Sequence, residues 1–221
     1  ALAGIAAVLV AAIVVWPLAR LGRAAVPASV FRASLAYFGL IGLGFMFVQI
    51  PFLQRFSVYL GHPTYAFSIV LFFMILCAGL GSVASDRFDP GQRRLRVIPI
   101  VIGAGALVEA ALLQPALSAT VGSPLIARTA VVALFIAPLA FLMGTCFPVG
   151  LRLLGRHSDR VTAWMWGVNG ACGVMGSILA VMTSMWIGID WGLVVAAAMY
   201  LMLVLPLQQL SAKTGRAQKA G

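Results

Sequence analysis

Charge is what this sequence lacks most. Only 9% of its 221 residues are charged, 5 of them are acidic, and 62% are hydrophobic. A water-soluble domain carries roughly 25% charged residues, so a surface of this size could not be covered. With a mean hydropathy of +1.07, the composition excludes a soluble globular domain and implies an all-α, polytopic integral membrane protein. Histidine is nearly absent too. His62 and His157 are the two, and neither lies inside an apolar run. That excludes a bis-histidine haem within such a protein, and no His, Cys and carboxylate group has metal-ligand spacing. The 3 cysteines, Cys77, Cys146 and Cys172, sit within apolar runs without a Cys-x-x-Cys partner. They read as reduced packing residues. Gly103-Ala-Gly105 has no preceding strand and no third glycine in register, so it is not a dinucleotide fingerprint. No Ser-His-Asp hydrolase motif is visible. The expectation is a chain without catalytic residues, cofactor or metal.

Other absences concern processing. The apolar start, 1–19, has no basic flank of the signal-peptide kind, and no Met opens the chain. The missing Met suggests that the natural polypeptide extends upstream of Ala1. No low-complexity tract or internal repeat stands out.

What is present is a series of apolar runs at 2–18, 34–53, 64–84, 97–115, 125–151, 162–187 and 191–210. Each approaches the roughly 20 residues a helix needs to cross the hydrocarbon core. Helix is the natural form, since each run must satisfy its own backbone in lipid, and the runs are too long and uniform for barrel strands. The expected architecture is a bundle of about seven transmembrane helices, followed at 211–221 by a polar, disordered tail.

The net charge of +10 would suit nucleic acid, but position argues against it. The basic residues cluster between apolar runs: Arg20, Arg23 and Arg32; Arg87, Arg93, Arg94 and Arg96; Arg152, Arg156 and Arg160; Lys213, Arg216 and Lys219. Only Arg55 and Arg128 of the 15 fall on the opposite side. Positive loops face the cytoplasm and its anionic lipid. The N-terminus is therefore expected outside, the C-terminus inside, in a bacterial cytoplasmic membrane. Trp16, Trp164 and Trp166 then lie at cytoplasmic span ends and Trp186 and Trp191 at outer ends, where an aromatic belt belongs.

Polar groups at membrane depth are costly and point to sites. The densest group runs from Gln49 to Pro63, where Pro51 is expected to break the second run, with Gln54, Arg55 and His62 beside it. A helix end with a snorkelling arginine and a Gly-His-Pro turn explains the same residues. Glu109 is the only acid well inside a run, and an unpaired carboxylate there needs a partner. Gln49 and the two outer arginines are candidates. One reading is a polar cavity opening outward, lined by Gln49, Gln54, Arg55, His62, Glu109 and Arg128, for a small-molecule ligand. The other is a structural hydrogen bond between helices. Along the sixth run Gly167, Gly170, Gly173 and Gly176, with Asn169 among them, form a small-residue stripe suited to close helix packing. Gly39, Gly42 and Gly44, and likewise Gly79 and Gly81, suit the same role.

Besides Gly79-Leu-Gly-Ser82, three longer segments carry a family resemblance. They are Gly42-Leu-Gly-Phe-Met-Phe-Val-Gln-Ile-Pro-Phe-Leu-Gln-Arg-Phe-Ser-Val-Tyr-Leu-Gly-His-Pro-Thr-Tyr65, Met143-Gly-Thr-Cys-Phe-Pro-Val-Gly-Leu-Arg-Leu-Leu154 and Ala163-Trp-Met-Trp-Gly-Val-Asn-Gly170. Over about 34–180 the chain resembles the membrane-embedded spermidine synthase-like proteins. The resemblance implies the transmembrane bundle that follows a soluble aminopropyltransferase-like domain, with transferase chemistry upstream of this chain. One departure is Gln49, where the family commonly has Glu. The loop at Ser85-Asp86-Arg87 also resembles, weakly, the loop motif of major facilitator transporters. The expected role is a non-catalytic scaffold or accessory subunit of a larger membrane assembly, in contact with lipid and other membrane subunits and not nucleic acid. The alternatives are a small-solute transporter or binder using the outer cavity, and the membrane half of a fused aminopropyltransferase-like enzyme.

Overall fold

The computed structural model describes residues 26–87, 93–155 and 159–217. The first apolar run, 2–18, lies outside the described residues, with Trp16, Arg20, Arg23, Arg156 and His157. The described residues form helices and contain no strand. The helices are α1 (Ala28–Tyr59), α2 (Pro63–Ala84), α3 (Val97–Thr120), α4 (Leu125–Gly155), α5 (Asp159–Trp186), α6 (Asp190–Met202) and α7 (Val204–Ala217). Single turns of 3-10 helix, Ser85–Arg87 and Arg93–Arg96, flank the link between α2 and α3. Among the described residues six helical stretches are long and apolar enough to cross a membrane, α6 and the start of α7 counting as one.

The elements differ from expectation mainly at proline. Pro51 was expected to break the second run, yet α1 continues through it to Tyr59. Proline removes one helical bond, that to the Phe47 carbonyl. Unwinding a turn would orphan several backbone groups instead. Pro51 is also buried, seated where a side chain on Gly192 of α6 would collide with it. Pro115 likewise lies inside α3, which runs to Thr120. The last run, expected continuous, turns at Leu203 between α6 and α7. Pro206 supplies no N–H to the Met202 carbonyl and sits in the first turn of α7, where proline is tolerated. α7 then reaches Ala217, past Ser211, where a disordered tail is expected.

α1 is the hub. It touches α2, α4, α5, α6 and α7, and the most extensive pairings are α1 with α5, α2 with α4, and α3 with α6. Its Phe38, Val48, Phe52 and Phe56 are fully buried. Two pairings are backbone to backbone. A Cβ on Gly42 would collide with the Asn169 carbonyl of α5, and Cβ atoms on Gly81 and Gly144 would collide with the carbonyls of Phe141 and Ala78 across the α2–α4 crossing. Small residues permit this approach, and van der Waals packing rewards it where no hydrophobic force separates helix from lipid. Large apolar side chains meanwhile point outward on α2 (Phe67, Phe72, Ile75, Leu80), α3 (Val101, Val108, Leu112) and α5 (Trp166, Val174).

Candidate functional site

The two ends of the bundle carry different polar arrangements. At the end where α1 finishes, Arg55 projects from the turn after Pro51. It donates to the Gln114 side chain of α3 and pairs with Asp190 at the start of α6. Thus one guanidinium joins three helices. Beside it opens a cavity of about 380 Å³ lined by Gln54, Arg55, Tyr59, Gln114, Ser118 and Ile189 among others. Gln54 Oε1 is buried with no hydrogen-bond partner among the described residues. The Tyr59 hydroxyl shares a hydrogen bond of 2.7 Å with Thr120, and Arg128 donates to the Tyr59 carbonyl at 2.7 Å.

Of the six residues expected to line an outward cavity, only Gln54 and Arg55 line this one. Arg128 is turned to the end of α1, where it satisfies a backbone carbonyl. His62 caps α2, its Nδ1 accepting from the Thr64 N–H at 3.3 Å. Gln49 is half-buried on α1. Glu109 lies on the inward face of α3 with Ile102, Ala106 and Leu113, and is only 8% exposed. Its Oε2 has no hydrogen-bond partner among the described residues. Neither outer arginine is bonded to it; Arg55 takes Asp190 instead. Gln114, Ser118 and Asp190 were missed. One signal could have found Asp190: it is the only acid at the boundary between the last two runs, on the same side as Arg55.

At the other end Arg152 of α4 donates to Asp86 at 2.6 Å and to the Ser85 carbonyl at 2.6 Å, fastening the turn after α2. Nearby, the Tyr37 hydroxyl donates to the Cys146 carbonyl at 2.7 Å, and Asn169 Nδ2 donates to the Phe38 carbonyl at 3.1 Å. The small-residue stripe of α5 divides. A Cβ on Gly176 would lie 3.1 Å from the Leu43 backbone, and one on Gly173 would make ordinary contact at 3.8 Å. Gly167 and Gly170, expected in the same packing face, have nothing within 4 Å. Asn169, Gly170 and Gly173 border a groove between α2 and α5. Among the described residues no group of three or more His, Cys, Asp and Glu side chains could hold a metal ion. Comparison with protein-family models, with curated proteins and with solved structures finds no match to the chain.

Proposed function

We propose that this chain is a membrane-spanning, non-catalytic helical domain that acts as a scaffold or accessory subunit of a larger membrane assembly. Insertion is supported by the outward apolar faces of α2, α3 and α5, which would be a large exposed patch in water. The clustering of Arg87, Arg93, Arg94, Arg96 and Arg152 at one end supports a cytoplasmic placement for that end. The observation that carries the scaffold reading is how the polar residues are used. Arg55, Arg128, Arg152, Asn169 and Tyr37 each tie one helix to another or to its adjoining turn. The closest crossings are backbone against backbone. That is a frame, and it leaves α5 with an open glycine face at Gly167 for a neighbour.

The test uses Gly167→Leu, at a position where an added Cβ has nothing within 4 Å. The expected result is loss of a co-purifying subunit with helical content unchanged, while Glu109→Gln leaves assembly intact. Retention of every partner by Gly167→Leu would sink the reading.

A second reading has its own observation. Gln54, with its orphan Oε1, lines an opening of about 380 Å³ beside Arg55, which is room for a small polar solute. Loss of solute uptake in Gln54→Ala, with assembly preserved, would favour it. The resemblance to spermidine synthase-like proteins supports a third: the membrane half of a fused enzyme, with aminopropyl transfer carried by another domain. It rests on the Gly42–Tyr65 and Met143–Leu154 segments. A native polypeptide much heavier than 23.3 kDa would support it.

A further inference from the structure

The groove between α2 and α5 has a volume of about 430 Å³. Its floor is α1 and α4, at Gly42, Met46 and Gly144, and its walls include Ala78 and Ser82 of α2 and Gly170 of α5. Pro148, also in the lining, gives no N–H to the Gly144 carbonyl. Trp166 stands at the α5 side, 60% exposed, its ring against Phe147 at 4.6 Å. The trough is therefore mostly apolar, with Ser82 and Asn169 as its polar side chains.

Its surroundings have a direction. One helical turn beyond Ser82 come Ser85, Asp86 and Arg87, and one turn beyond Pro148 comes Arg152. Arg152 holds Asp86, and Arg87 is exposed beside them. Among the described residues at this mouth, two cations stand against one carboxylate. An apolar trough ending in positive charge complements a molecule with an apolar tail and an anionic head. A partner's transmembrane helix needs no cation at the mouth, whereas a phospholipid phosphate does.

We propose that the groove binds an anionic phospholipid, one acyl chain lying between α2 and α5 and the phosphate meeting Arg87 and Arg152. The proposal rests on the membrane-spanning reading above, with the arginine-rich end at the anionic leaflet. It assigns this face to a specific lipid, where the rest of the outer surface takes any lipid that solvates it.

The experiment is native mass spectrometry of the detergent-purified full chain, given phosphatidylglycerol or phosphatidylcholine with identical acyl chains. Wild type should retain phosphatidylglycerol preferentially. Arg87→Gln should lower that retention by about five-fold, the effect of one cation near an anionic surface, and lower phosphatidylcholine, whose choline offsets the charge of the same phosphate, by less. Gly170→Leu, whose Cβ would meet no protein atom within 4 Å, should extend into the trough and lower both. Arg152 also fastens the turn at Ser85, so the decision rests on Arg87→Gln. Equal retention of the two lipids, or undiminished phosphatidylglycerol binding by Arg87→Gln, overturns the proposal. So does a cross-linker at Gly170→Cys that captures a polypeptide in place of lipid. An alkaline carbonate wash of native membranes separates the two levels: release of the chain defeats the membrane reading and this proposal together, whereas retention leaves the lipid result to judge the groove alone.

Discussion

Arg55 and Arg152 are the same device at opposite ends of the bundle, and they differ in depth. Each arginine pairs with an aspartate and a second oxygen acceptor. The Arg55 side chain is 14% exposed and Asp190 57%; Arg152 is 29% exposed and Asp86 76%. Arg55 gathers three long helices, whereas Arg152 fastens a single turn of 3-10 helix to α4. The Coulomb attraction is similar in kind, but water screens it more at the Arg152 end, where exposed pairs contribute about 0–1 kcal/mol. The deeper arginine should therefore hold architecture, and the shallower one is free to exchange its carboxylate for another anion.

The contrast can be broken hardest between the two ends, at the α2–α4 crossing. Gly81→Leu places a side chain into the Phe141 carbonyl. Overpacking of this kind costs about 3 kcal/mol or more when backbone must move, and the thermal midpoint in detergent should fall furthest of all variants. Next comes Arg55→Ala. It removes the ties to Gln114 and Asp190 together, and a loss of about 1–2 kcal/mol is expected. Arg152→Ala should lose less than about 1 kcal/mol. Equal losses at the two arginines would erase the distinction drawn from burial. Tyr37→Phe removes one hydroxyl-to-carbonyl bond between α1 and α4, and an interhelical bond in a membrane contributes about 0.6 kcal/mol. The smallest effect is one of salt. Raising ionic strength shortens the screening length from about 30 Å at 0.01 M to 3 Å at 1 M. Chemical denaturation of wild type against Asp86→Asn and Asp190→Asn at both salt levels should show a larger salt effect on the Asp86 pair.

Much of the helix pattern was legible, because a membrane-length apolar run has few alternatives. The apolar runs from 34 onward each contain a described helix. What misled was local chemistry without its surroundings. Pro51 looks like a break until Gly192 of α6 is seen to leave it room. The Arg55 cluster was half visible: Gln54 and Arg55 are neighbours in sequence, but Gln114 and Asp190 lie 59 and 135 positions from Arg55. No periodicity carries pairings across such gaps. The glycine stripe on α5 identified a helix that can be approached closely without saying from which side. Successive residues turn by about 100°, so Gly176 meets α1 while Gly167 and Gly170 look outward.

The distance in sequence between Arg55 and Asp190 has a consequence for how the protein is made. The ribosome delivers α1, the hub, before the other described helices, and α6 follows only after α2 to α5. At about 5–20 residues per second, the 135 positions between arginine and carboxylate correspond to a wait on the order of ten seconds. Throughout that interval the Arg55 guanidinium lacks its carboxylate, and the arrival of α6 closes the assembly by charge as well as by shape.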